Sequence, residues 1–387
     1  MKRGLTGQWV TTTTAGEAVR AFIPAPLPPV PPLDLSGKRQ RLLEQALLAC
    51  GRLDGITTVL PDPDLFLYTY VRREAVLSSQ IEGTQSSLSD LLLFELHDAP
   101  GVPIDEVVEV SNYVAALEHG MNRVREGFPL SGRLLREVHG ALLARGRGAD
   151  KLPGEFRRSQ NWIGGTRPGN AQYVPPPPDH VGECLAGLEQ FIHAQGDGIP
   201  ALVRAALAHV QFETIHAFLD GNGRVGRLLI VLMLADAAVL RRPLLYLSLY
   251  LKQHRGEYYR LLDAIRADGD WEAWIDFFLE GVIQTANGAV DTAHRLLTLF
   301  GEDAARIQTQ GRVAASAMRV FDAMRGRPVV TITALARRMG TNFATVSRAM
   351  GVLTKLGITE ELTGRRRERV FSYARYLSIL NEGAGPP

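Results

Sequence analysis

HAFLDGNGRVGR, residues 216–227, decides the reading of this 387-residue chain. A histidine, an acid, a Gly-Asn-Gly turn and two arginines fall within twelve residues, and an apolar run, LLIVLMLADAAVL (228–240), follows at once. Asp220-Gly221-Asn222-Gly223 interrupts a helix, because glycines favour left-handed or close-approach backbone. The loop hands over to a helix near Arg224, and the free N–H groups of a helix start are anion donors. Arg224 and Arg227 are three residues apart and share the first turn. Cations there oppose the helix dipole. An anion between the arginines and the amides resolves the conflict, and a polyphosphate meets that need. His216 lies across the loop, placed to take a proton from a hydroxyl near neutral pH. Asp220 is a hard oxygen ligand suited to magnesium that also touches phosphate oxygens. Phe218 reads as the anchor that packs the loop. The stretch therefore predicts an enzyme acting on a nucleotide.

Outward from this loop the pattern is mainly α. Apolar residues at three- and four-residue spacing predict helices in RQRLLEQALLACGRL, over 65–96 with a break near IEGTQSS, and over 104–120, 131–143, 180–194 and 201–215. The 224–240 segment is apolar almost all round and predicts the central buried helix. Residues 271–299 complete the bundle. NWIGGTRPGNAQYVPPPP (161–178) breaks the pattern and predicts a small hairpin, placed as a flap over a groove.

Residues 1–35 end in PAPLPPVPPLDL and predict an extended strap without regular structure. Residues 36–125 form an N-terminal helical region and 126–300 the catalytic core. Residues 311–376 form a further unit: helix, TITALARRMG, TNFATVSRAMGVLTKLG, then short strands around GRRRER (364–369). That order predicts a winged helix-turn-helix. Residues 377–387 read as a disordered tail.

Net charge is +2, from 43 basic and 41 acidic residues, so bulk charge favours neither nucleic acid nor membrane. Cys50 and Cys184 sit in helical apolar contexts and imply a reducing compartment rather than a disulfide framework. No secretory signal or bilayer-length apolar run is visible, so a cytoplasmic protein with no membrane association is expected. The sequence carries no Gly-x-x-x-x-Gly-Lys loop and no His-Glu-x-x-His pair.

HAFLDGNGRVGR resembles the signature of the Fic/DOC family, His-Pro-Phe-x-(Asp/Glu)-Gly-Asn-Gly-Arg-x-x-Arg, departing only at Ala217. The resemblance implies AMP transfer from ATP to a Ser, Thr or Tyr hydroxyl of a protein target or of the chain itself. It implies His216 as base, Asp220 as the magnesium ligand, and Gly221, Asn222 and Gly223 as the anion hole. Arg224 would contact the α/β-phosphates and Arg227 the γ-phosphate. It implies that Ile163 in the flap clamps the target backbone, and that Tyr258 or Tyr259 borders the adenine and ribose. Family members often pair, which makes a homodimer an expectation.

SSQIEG (78–83) resembles the family's inhibitory motif, (Ser/Thr)-x-x-x-Glu-(Gly/Asn). Ser78 and Glu82 are four apart and share a helical face. Glu82, near a helix end, needs a cationic partner, and the resemblance implies Arg227. The arginine would then be unavailable to the γ-phosphate. Three alternatives stay open: hydrolysis of an AMP–protein bond using Glu82, transfer of another nucleotide or phosphocholine, and a DNA-binding regulator whose core only senses nucleotide. For the last, Thr341, Asn342, Thr345, Ser347, Arg348 and Lys355 would face DNA.

Overall fold

The computed structural model describes residues 2–57, 63–96, 104–242, 244–365 and 368–383. It begins with an antiparallel hairpin, β1 (Gly7–Thr14) and β2 (Glu17–Pro24). Helices α1 (Lys38–Ile56), α2 (Pro63–Ile81), α3 (Leu88–Phe94) and α4 (Ile104–Arg125) follow. The centre is α5 (Gly132–Leu142), α6 (Pro178–His193), α7 (Ala201–Ile215), α8 (Asn222–Asp236), α9 (Ser248–Gln253), α10 (Arg255–Asp268) and the long α11 (Trp271–Gln308). The C-terminal part holds α12 (Ala314–Gly326), β3 (Val329–Thr331), α13 (Ile332–Arg338), α14 (Phe343–Lys355), β4 (Glu360–Glu361), β5 (Val370–Ser372) and α15 (Ala374–Asn381). Its three strands form an antiparallel sheet in the order β3-β5-β4.

Two helices carry the core. In α7 every residue from Ala205 to Ile215 is buried, and in α8 Val225 to Leu234 are all buried. Neighbours cover both helices on all sides, and polar residues buried among the apolar ones, such as His209 and Arg227, are hydrogen-bonded. Helices α4, α5, α6 and α11 pack around this pair. Among the described residues no helix is long and apolar enough to cross a membrane.

Two sequence expectations change. The first residues are not a structureless strap: Gly7↔Pro24 to Thr14↔Glu17 are in register in a hairpin. Ala15 (φ 50°) and Gly16 (φ 82°) make its two-residue turn, and the threonine run supplies the β-branched strand. The prolines come after it. The tail is not disordered from 377: α15 runs to Asn381 and buries Tyr376, Leu377 and Leu380. Residues 384–387 lie outside the described residues, as do 366 and 367 of the basic turn. The segment 161–178 is the small hairpin expected, closed by one antiparallel bridge, Ile163↔Tyr173. Its turn is taken up by Gly164, Gly165 and a short 3-10 turn at Pro168–Asn170.

The C-terminal elements are packed into the rest of the molecule. One continuous hydrophobic cluster runs from Ala46 in α1 to Leu380 in α15. Thr69 of α2 and Tyr376 of α15 share a buried hydrogen bond of 2.8 Å.

Candidate functional site

Helix α7 ends because His216 adopts a left-handed backbone (φ 49°, ψ 57°), a conformation that costs a non-glycine residue about 1 kcal/mol or more. Arg157 holds that bend. Its Nε donates to the His216 carbonyl at 2.9 Å, and its Nη2 to the carbonyls of Pro176 (2.5 Å) and Ile215 (3.4 Å). One buried guanidinium thus ties the end of α7 to the root of the flap. Burial lowers its pKa to about 10.

The loop itself is closed by Asn222 and His139. The Asn222 side chain accepts from Phe218 N (2.9 Å) and donates to Phe218 O (2.8 Å). It therefore staples the loop rather than facing outward. His139 stacks on Phe218 at 3.8 Å and 9°. Its Nδ1 accepts from Gly154 N (2.9 Å), so Nε2 carries the proton and donates to the Asp220 carbonyl (3.1 Å). Burial lowers His216 to about 4, with Arg157 adding to the effect, so its imidazole is neutral at ordinary pH.

Glu82 lies one residue beyond α2, which Gly83 (φ 99°) terminates. Arg227 Nη2 donates to Glu82 Oε1 at 2.7 Å across 145 residues of chain. Its Nε donates to Ser78 Oγ (2.8 Å) and Nη2 also to Ser78 O (3.0 Å). A Cβ on Gly223 would collide with Glu82 Oε1. The carboxylate therefore lies against the first turn of α8, where the helix start offers its amides to an anion. Burial alone would raise Glu82, but Arg227 beside it holds it below its ordinary value.

The sequence reading missed a second pair. Arg224 is 1% exposed and its Nη1 bonds Glu109 of α4, a buried carboxylate. Its Nη2 lies 3.5 Å from Asp220 Oδ1. Both arginines of the loop thus face carboxylates from the N-terminal helices. No motif marks Glu109; an acid on the apolar side of α4 was the available signal, since charges are rarely buried unless paired. Glu109→Ala would strand Arg224, and we expect a loss of about 3–5 kcal/mol in unfolding free energy by urea titration. A loss below about 1 kcal/mol would show that the pair has no structural weight. Arg157 and His139 were missed for the same reason: their roles depend on carbonyls distant in sequence. Glu213, buried on α7 and raised to about 7 by burial, packs against Gly226 of α8.

The remaining expected residues separate. Tyr258 is 1% exposed and bonds His209 Nε2 through its hydroxyl at 2.9 Å, which makes it a core residue. Tyr259 is 39% exposed, and the charges of Glu82 and Arg227 both bear on it. Ile163 exchanges backbone bonds with Tyr173 (2.8 and 3.1 Å). The flap is pinned to the loop by Asn161 Nδ2 on Phe218 O (2.9 Å), and to α7 by Tyr173 Oη on Thr214 O (2.6 Å). It also joins the N-terminal hairpin through Phe22 N on Val174 O (2.9 Å). Asp220 is partly exposed at 29% and receives Gly221 N at 2.6 Å. Among the described residues no group of three or more His, Cys, Asp or Glu side chains could hold a metal.

These features define an α-helical protein with an anion cradle at the start of a buried helix, held by its own carboxylate. Residues 129–234 match the Fic/DOC family model, and residues 40–122 match the Fic/DOC family N-terminal model. The fold is that of the Fic/DOC family. A Fic family protein from Desulfovibrio desulfuricans is 22% identical with a TM-score of 0.56, covering 89% of this chain and 98% of that one. A Fic domain containing signaling protein from Bacteroides thetaiotaomicron has a TM-score of 0.52 at 18% identity, covering 65% of this chain and 97% of that one. Protein adenylyltransferase Fic of Culex quinquefasciatus is 30% identical over 205 residues, which is 52% of this chain and 38% of the relative. That of Drosophila grimshawi is 26% identical over 235 residues, 58% of this chain and 45% of the relative. The chain thus spans less than half the length of these curated relatives.

Proposed function

We propose that this protein transfers the AMP moiety of ATP to a hydroxyl side chain of a protein target or of itself, and that Glu82 on Arg227 holds the reaction off. The observation that carries this reading is the Glu82 carboxylate seated between Arg227 and the first turn of α8. An anion already occupies the place a terminal phosphate needs.

In this reading the target hydroxyl oxygen bonds the α-phosphorus as the α–β bridging bond breaks and pyrophosphate leaves. His216 takes the hydroxyl proton. Positioning and charge stabilisation supply most of the rate. Arg227, once released, meets the γ-phosphate, and Arg224, oriented by Glu109, faces the α/β-phosphates. Of the expected anion hole, Asn222 and Gly223 would offer backbone N–H groups, since the Asn222 side chain is spent on Phe218 and the Gly221 N–H on the Asp220 carboxylate. Tyr259, exposed where Tyr258 is buried, would border the nucleoside, and Ile163 in the flap would clamp the target backbone. A single partly exposed carboxylate suits magnesium shared with phosphate oxygens. Asp220 would hold it, and the ion would neutralise developing phosphate charge. The free thiols of Cys50 and Cys184 suit a cytoplasmic setting.

The test is intact mass after incubation with ATP and magnesium. Glu82→Gly should gain one AMP while the parent chain does not. No gain in either would sink the reading.

The low His216 pKa sets a pH expectation. The neutral base is lost only as pH falls through about 4. Labelling by Glu82→Gly should therefore stay level from pH 8 down to about 5. A fall centred near 6.5, the ordinary histidine value, would show that His216 is not held neutral by burial.

A second reading concerns the C-terminal elements, in the order of a winged helix-turn-helix. Arg337, Arg338, Arg348 and Lys355 are all exposed, and none is in an ion pair among the described residues. Free cations on adjoining helices suit phosphate contact. Asn342 is not available to a base through its capping oxygen, which accepts Thr345 N at 2.8 Å. Retarded duplex DNA with the full chain, weakened by salt and by Arg348→Ala, is the expected result. Unaltered mobility at low salt would remove this reading.

A further inference from the structure

The two sides of the flap share one bridge, Ile163↔Tyr173. A two-stranded hairpin by itself is marginally stable in water and needs further strands or an apolar support. The support comes from the start of the chain. Ile163 and Tyr173 spend their N–H groups on each other's carbonyls (2.8 and 3.1 Å), while Val174 turns its carbonyl to Phe22 N of β2 at 2.9 Å. The flap strand therefore lies between Ile163 on one side and β2 on the other, with β1 beyond β2. Val19, Ala21 and Val174 pack as a small apolar cluster of their own, with Val10 and Ala171 against it. At the tip, Glu17 pairs with Arg167. Gly169 makes room for that clasp, since a Cβ there would collide with Glu17 Oε2.

The base of this N-terminal hairpin is fixed to the elements that surround His216. Gln211 Nε2 of α7 donates to Ala25 O at 2.9 Å. Gly4 N and Thr6 Oγ1 donate to the carbonyls of Asp268 (2.9 Å) and Ile265 (3.0 Å) in α10. Arg3 holds Glu272 at the start of α11 through both Nη atoms at 2.6 Å. The hairpin is thus anchored beside the helix that carries the base, and from there it grips the flap from root to tip.

We propose that the β1–β2 hairpin is a positioning element for the transfer reaction. It sets the height of the flap above the His216 loop, so that a target segment meets an edge already in place. Val19 grips the flap strand and Glu17 its tip. A flap ordered beforehand removes that ordering cost from target binding and keeps the reacting hydroxyl at a working distance. The part played in transfer rests on the function proposed above; the bracing of the flap does not.

The experiment follows amide hydrogen exchange of the flap in the full chain. Label transfer from ATP in the Glu82→Gly background and calorimetric ATP binding accompany it. Val19→Asp puts a charge into the small cluster, outside the main core, so the helical fold is retained. We expect exchange at Ile163 and Tyr173 to rise about tenfold or more, with α7 and α8 unchanged. Transfer should fall about tenfold while ATP affinity stays the same. Glu17→Lys should quicken flap exchange about two- to fivefold, the usual weight of an exposed ion pair, and adding Arg167→Glu should restore it. Flap exchange unaltered in Val19→Asp and Glu17→Lys overturns the brace. Faster flap exchange with undiminished transfer overturns the positioning role, as does loss of ATP binding together with transfer, which would place the defect in the nucleotide site. An inactive Glu82→Gly parent would instead remove the function proposed above, with flap exchange still deciding the brace.

Discussion

Glu82→Gly is expected to raise self-AMPylation by about 30- to 150-fold. The latch is a charge-assisted hydrogen bond at 2.7 Å, backed by two bonds from Arg227 to Ser78. Hydrogen bonds to charged groups contribute about 1.5–3 kcal/mol, and each 1.4 kcal/mol is tenfold. A latch of about 2–3 kcal/mol gives the stated range. Removing the carboxylate also clears the first turn of α8, where it lies against Gly223. Two effects therefore act in one direction: Arg227 gains freedom, and the cradle loses its internal anion. The measurement is incorporation of label from ATP into the chain, at equal protein concentration. Labelling equal to the parent chain would show that the contact is structural and not inhibitory. Ser78→Ala provides a graded control. It removes one of the bonds to Arg227 and leaves Glu82 in place, so labelling should rise far less.

His216→Ala, made in the Glu82→Gly background, is expected to lower labelling about 10²- to 10⁴-fold, the usual weight of a general base. The geometry gives the loss a specific cause. His216 occupies a left-handed backbone position that Arg157 fixes through the His216 and Ile215 carbonyls. The Arg157 bonds are to backbone, so they survive the loss of the imidazole. Folding should accordingly be retained, which thermal unfolding would check. Undiminished labelling with the fold intact would show that another group takes the proton, and would move attention to Glu213, the buried acid one turn earlier on α7.

Much of the site was legible because its parts are local in sequence. Histidine, acid, glycine turn and arginines fall in one run, and glycines followed by an apolar stretch can only mark a loop feeding a buried helix. The Glu82–Arg227 pairing that the family resemblance implied is also present. An acid at a helix end has an electrostatic debt that only a cation settles, and the four-residue spacing to Ser78 fixed which face it used. The partners of Arg224 and His216 were not legible. Glu109 lies 115 residues from Arg224, and Arg157 lies 59 from His216. Arg157 acts on carbonyls, which every residue carries, so no residue type announces the match. The opening hairpin was missed because proline density outweighed the Thr-rich strand before it. Tyr258 and Tyr259 were indistinguishable by type, since adjacent residues on one helix differ only in what covers them.

The sequence by itself determined a mainly α chain, a Gly-Asn-Gly loop at the mouth of its central helix, and a glutamate whose helix-end position demanded a positive partner. These follow from periodicity, glycine conformation and local electrostatics, all written within a few turns of chain. Only the tertiary structure decided that Arg224 too is already paired, with Glu109. It also decided that Asn222 is spent on its own loop, and that the flap, the first hairpin and α7 are tied through backbone carbonyls. Burial and long-range pairing set those outcomes, and neither is a property of any short stretch of sequence.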